Sequence, residues 1–195
     1  MTRSILLVDP DPKQRARLLR ALDGNGVRVI GEAANPDEAM RTAVAAQPKV
    51  ALVATTLGND EAIRLVDRLV AELGIPSVLL VEAADQLPIP RIAESGVMGL
   101  LVRPVDPVTL HAMLDVAVYR FRDILALRRE GEALRRALED RKVVERGKGL
   151  LMEMESISEQ EAFARIRQKS MDTQRSMAEI ARAIILAAEM SGRPR

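Results

Sequence analysis

Nine side chains in the last third of the chain have the chemistry to hold a polyanion. They are Arg141, Arg146, Lys148, Arg165, Arg167, Lys169 and Arg175, with the hydroxyls of Ser170 and Thr173. Arginine offers a planar fork of donors that stacks on bases and bonds base edges or phosphates, and lysine offers a point charge. Thr173 reads equally well as a helix cap. The set is densest in Arg141–Met152, RKVVERGKGLLM, where Gly147 and Gly149 flank Lys148 inside a helical pattern. Each interior glycine costs a helix about 1 kcal/mol relative to alanine. Two of them together predict that another helix, or a ligand, approaches the backbone there.

Other chemistry is thin. There is no cysteine and His111 is the lone histidine, which removes thiolate zinc sites and leaves little for acid–base work. No nucleophile–base pair or metal cluster stands out, so an enzyme is the reading least supported and no cofactor is expected. A second group of positions sits at the ends of apolar runs: Asp9 and Asp11 after the first, Ala54 at the end of the third, Val81 at the fourth and Arg103 at the fifth.

Those runs, Ser4–Val8, Val27–Ile30, Val50–Val53, Ser77–Val81 and Leu100–Val102, are short and rich in Ile, Leu and Val, as strands buried on both faces are. Helical segments with their own start signals separate them. Asp11-Pro12 and Asn35-Pro36 place a capping side chain before a proline at the first helical position. The first helix is expected to end at a turn over Gly24-Asn-Gly26. Five βα units with short links predict an α/β fold, a five-stranded doubly wound parallel sheet over residues 1–118. Its functional crevice would lie at the carboxyl ends of the strands.

From Asp106 the pattern stays helical to about Met154. Leu110, Leu114, Ala117, Phe121 and Ile124 alternate by four and three, and Leu127, Gly131, Leu134 and Leu138 resume the alternation after a slip. This is a coiled-coil seam with a local defect, over a linker at 119–137, and a second copy of the chain is the expected partner. Residues 138–190 then predict a three-helix unit. Ser158-Glu-Gln-Glu161 reads as a capping box, and Met171-Asp-Thr173 as the link to a last helix with Met177, Ile180, Ala181, Ile184 and Ile185 buried. Phe163 is expected in the core, and the tail 191–195 is expected to fray.

Two resemblances follow. Ile5-Leu-Leu-Val-Asp9, Gly96–Pro104 and the element order resemble the receiver domain of bacterial response regulators. That family uses an acidic pair, a phosphoacceptor aspartate, a switch hydroxyl and a lysine at the strand ends. Here Pro10 follows Asp9 where the second acid belongs, Ala54 holds the phosphoacceptor position, Val81 the hydroxyl position and Arg103 the lysine position. The resemblance implies a pseudoreceiver, switched by something other than aspartyl phosphate. Asp60, six residues past Ala54, is not expected to face the crevice.

Residues 138–185 resemble the ANTAR domain. The matching residues are Arg141, Gly147-Lys-Gly-Leu-Leu-Met152, Glu161-Ala-Phe-Ala-Arg-Ile-Arg-Gln-Lys-Ser170 and Ile180-Ala181, with Gly147 where the family has alanine. This implies a regulator that binds paired hairpins in leader RNA and prevents transcription termination, through the nine side chains above. The segment Met113–Phe121 is similar to that of nitrate-responsive antiterminators of the NasT type, which implies a ligand-sensing inhibitor protein of solute-binding type as partner. The alternative from another class is a DNA-binding response regulator using its last helices as a helix-turn-helix, against which the apolar last helix counts.

Composition agrees with this layout. Residues 120–148 hold ten basic side chains against six acidic ones, in a chain of net charge +1. No apolar run reaches the length of a membrane span and no signal peptide opens the chain, so a cytoplasmic location is expected.

Overall fold

The five apolar runs pair as a parallel sheet in the order β2-β1-β3-β4-β5. The strands are β1 (Arg3–Val8), β2 (Val27–Ala33), β3 (Val50–Ala54), β4 (Ser77–Val81) and β5 (Val97–Val102). The computed structural model describes residues 3–23, 26–82 and 87–190. The turn expected at Gly24-Asn25 and the frayed tail expected at 191–195 lie outside them. The helices are α1 (Pro12–Leu22), α2 (Pro36–Ala46), α3 (Asn59–Leu73), α4 (Ile89–Glu94), α5 (Pro107–Glu155), α6 (Glu159–Thr173) and α7 (Met177–Met190).

Alternation along each strand explains why the runs are apolar throughout. Leu6, Val8, Ala51, Val53, Leu79 and Val81 enter a core under α2 and α3. Ile5, Leu7, Val50, Leu52, Val78 and Leu80 enter the opposite one, under Leu18 and Leu22 of α1 and Leu110, Leu114 and Ala117 of α5. Successive side chains on a strand point to opposite faces, so a sheet covered on both sides needs apolar residues at every position. The helix starts follow their signals. Asp11 accepts a bond from Lys13 N at 2.8 Å and Asn35 from Glu38 N at 2.9 Å, each before a proline.

β1 and β3 each gain one end residue, and β2 and β5 run further beyond their expected bounds, with a glycine hiding the extension in both. β2 continues through Gly31 to Ala33, and β5 begins at Val97, ahead of Gly99. A Cβ on Gly31 would lie 2.4 Å from Thr42 Cγ2, and one on Gly99 2.4 Å from Met113 Sδ. Glycine lets a covering helix lie close, at the cost of an ordinary strand signature.

The chain divides into two units, Met1–Leu125 and Ala126–Arg195, with the boundary inside α5. The expected seam divides with them. Leu110, Leu114 and Ala117 cover the sheet within the first unit, Phe121 is buried there too, and none of them is open for pairing with a second chain. Leu127, Leu134 and Leu138 are 67%, 66% and 56% exposed. In the second unit, Leu151, Ala162 and Ile166 form a small core with Met152, Ile157, Met177, Ile180 and Ile184. Among the described residues no helix is long and apolar enough to cross a membrane.

Candidate functional site

The crevice at the strand ends is closed by its own charges. Asp9, at the end of β1, is fully buried. Its Oδ1 accepts from Asp11 N at 2.9 Å and from the Thr56 hydroxyl at 3.2 Å, and its Oδ2 is ion-paired with Arg103. The other arm of Arg103 donates to Glu82 at 2.7 Å. Ala54 and Val81 are buried and bring neither carboxylate nor hydroxyl. Asp11 is occupied as the cap of α1, and Asp60 is ion-paired with Arg91 of α4 at 2.5 Å. Among the described residues no cluster of three acids or histidines stands ready for a metal ion. The residues present do not fit a divalent cation, because the guanidinium already balances the buried carboxylate and the second acid and the phosphoacceptor are missing. Thr56 reaches the crevice from its place just after β3.

The cationic residues of the second unit fall into two sets. Arg146 is paired with Glu189 at 3.1 Å, and Arg165 with Glu155 and with Glu161 at 3.0 Å. Lys148 contradicts the expectation of a surface cation. It is 8% exposed and lies between Glu145 at 2.5 Å and Glu159 at 2.7 Å. Those two carboxylates, Glu145 first, hold its ammonium above the ordinary lysine value, and Lys148 in turn lowers the Glu159 carboxyl. Arg141, Arg167, Lys169 and Arg175 are exposed and, among the described residues, have no carboxylate within ion-pair distance.

The hydroxyls are also committed. Ser170 Oγ donates to Arg175 O at 2.5 Å, and Thr173 Oγ1 to Lys169 O at 2.7 Å. Thr173 is therefore the last residue of α6 and not the cap of α7, and the link is Gln174–Ser176. The cap is Ser176, whose hydroxyl accepts from Glu179 N at 3.2 Å while Glu179 accepts from Ser176 N at 2.8 Å. This reciprocal box holds the Glu179 carboxyl below its ordinary value. Its Ser-x-x-Glu spacing was readable in the sequence. Ser158 caps α6 as expected, through Glu161 N at 3.2 Å.

Of the two glycines, one has the expected role. A Cβ on Gly147 would meet Ala181 of α7 at 2.7 Å from its Cβ and 2.9 Å from its Cα, whereas one on Gly149 would meet nothing within 4 Å. Gly147 is thus a place where α5 and α7 come too close for a side chain between them. Phe163 corrects another expectation. Ala162 and Ile166 are buried, but Phe163 is 44% exposed.

Residues 132–185 match the family description of the ANTAR domain. The second unit contains an ANTAR domain. The whole chain is similar to the transcriptional regulatory protein PdtaR of Mycobacterium tuberculosis, at 29% identity over 183 residues, covering 94% of this chain and 89% of that protein. The first unit is similar to solved receiver domains. One belongs to a modulated diguanylate cyclase of Desulfovibrio desulfuricans, with 27% identity, a TM-score of 0.57 and coverage of 63% of this chain and 98% of that one. Another is the receiver domain of the response regulator NarL of M. tuberculosis, with 24% identity, a TM-score of 0.53 and coverage of 60% and 96%, which speaks to the fold alone. The chain thus joins a receiver-like domain to an ANTAR domain, the build of a regulator.

Proposed function

We propose that this chain is an RNA-binding antitermination regulator acting on leader RNA with paired hairpins. The reading rests on one coincidence: the ANTAR match at 132–185 contains Arg141, Arg167, Lys169 and Arg175, the candidate cations with no carboxylate at ion-pair distance among the described residues. Unpaired cations on a small folded module suit a phosphate backbone and the splayed bases of a hairpin loop. The helix-turn-helix alternative is weaker, because the one arginine on α7, Arg182, is tied to Asp140 at 2.6 Å.

Control through a partner fits the crevice, where Ala54 offers no side-chain carboxylate to a phosphoryl group and Arg103 neutralises Asp9. A ligand-sensing inhibitor of solute-binding type is the partner we favour, with nitrate or nitrite assimilation as the controlled process, by analogy with the NasT type. In a gel shift the full chain should prefer two-hairpin RNA to single-hairpin RNA and to duplex DNA, with weaker binding by Arg141→Ala and Arg167→Ala. Equal binding of duplex DNA, or no loss in either variant, would defeat this reading.

A further inference from the structure

Phe163 is the one aromatic residue of the second unit, and packing leaves the exposure of its ring unexplained. α6 satisfies its core with Ala162 and Ile166, so the largest apolar group of the helix is turned toward solvent at 44% exposure. Residues 159, 163, 167 and 170 recur at spacings of four, four and three, which sets them along one face of the helix.

That face has a defined order. It starts at Glu159, whose charge Lys148 takes up at 2.7 Å. Phe163 stands one turn on and Arg167 one turn after that. At the far end Ser170 fastens the backbone of Arg175, donating from Oγ to its carbonyl at 2.5 Å and accepting from its N–H at 3.2 Å. Arg167 has no carboxylate within ion-pair distance among the described residues, and Arg175 acts on Glu179 without forming an ion pair, while Arg165, on the other flank, is neutralised by Glu155 and Glu161. Lys169, also without a carboxylate at ion-pair distance, lies four residues from Arg165 on that flank, and Arg167 is the unpaired cation on the side that carries the aromatic ring.

We infer that Phe163 is a stacking platform for one unpaired RNA base, and that Arg167 bonds the edge or the phosphate of the same nucleotide. A flat apolar ring with an unpaired guanidinium one turn along the same face complements a base with its phosphate. A protein-binding helix face would present a stripe of apolar groups at this spacing, whereas here the positions on either side of Phe163 are charged. The inference rests on the RNA-binding reading above.

The test uses the full chain and a pool of two-hairpin RNAs with fixed stems and randomised loops, enriched on the wild-type protein to one sequence. Each loop base is then replaced in turn by 2-aminopurine, whose fluorescence falls on stacking. Phe163→Leu keeps an apolar side chain and a good helix former but has no π-face; Phe163→Tyr keeps the ring. Expected are quenching at one loop position with wild type and Phe163→Tyr, no quenching with Phe163→Leu, and a roughly five- to hundredfold weaker binding by Phe163→Leu. Unchanged quenching and affinity in Phe163→Leu would overturn the stacking role and leave the RNA reading standing. A pool that does not enrich over duplex DNA would overturn both. Loss of self-association in Phe163→Leu with RNA binding intact would assign the face to a protein contact and overturn the inference.

Discussion

Lys148 changes most between its place in the sequence and its place in the fold. In sequence it is one of four cations within eight residues, equivalent to Arg141, Lys142 and Arg146. In the structure it bridges Glu145, on its own helix, to Glu159 at the start of α6. Spacing showed where the cations lie but not which would be neutralised, because the deciding acids are distant: Glu159 is 11 residues from Lys148, and Glu189 is 43 from Arg146. The bridge predicts a pH dependence with a definite sign. Glu159 has its carboxyl lowered, so its contribution is present above the ordinary carboxylate range and is lost as pH falls through the lowered value. Lys148 has its ammonium raised, so its contribution is complete below the ordinary lysine range and fades only as pH climbs through the raised value. In Lys148→Met the part of acid destabilisation due to Glu159 should vanish. Thermal melts of wild type and variant from about pH 3 to 7 should therefore converge on the acid side. Parallel curves throughout would show that the bridge contributes nothing. Any loss of RNA binding in a Lys148 variant has to be read beside such a melt, since the side chain joins α5 to α6.

Glycines decide how the helices and strands meet, and here the sequence was half legible. The five βα units were readable from apolar runs and caps, because each signal is local. The first residues of β5 were not, since Gly99 interrupts the strand pattern for the sake of Met113 on α5. Nor could sequence separate Gly147 from Gly149, which differ only in whether Ala181 lies opposite. This yields a paired prediction. Gly131 lies exposed within α5 with nothing within 4 Å of an added Cβ. Gly131→Ala should therefore stabilise by up to about 1 kcal/mol through helix propensity alone. Gly147→Ala gains the same propensity but drives a methyl against the Cβ and Cα of Ala181, which cannot swing aside. Overpacking of this kind costs about 1–3 kcal/mol, so the net effect should be destabilising. Chemical denaturation of the two variants should shift midpoints in opposite directions. A stabilised Gly147→Ala would mean that α7 is free to move away from α5.

At the scale of the whole molecule, the unsatisfied feature is the leucine row of α5. Its N-terminal half is covered by the sheet, but Leu127, Leu134 and Leu138 are more than half exposed and spaced by seven and four, with Gly131 completing the alternation. Three leucines in register on one helix lose apolar contact with water only if something lies along them, and a second copy presents the same row in a self-complementary way. Such a dimer would carry two ANTAR domains, so binding one hairpin would raise the effective concentration of the second domain at the other hairpin. The predicted outcome separates self-association from RNA chemistry. Wild type should sediment as a dimer and Leu134→Glu as a monomer, because a buried carboxylate facing its own copy costs far more than an exposed one. Affinity for two-hairpin RNA should fall by roughly a hundredfold in Leu134→Glu, while affinity for a single hairpin should stay within about twofold, since Leu134 is not among the side chains assigned to RNA. A wild-type chain that stays monomeric on RNA, or equal losses on both RNAs, would sink the avidity argument and leave the leucine row to a different partner.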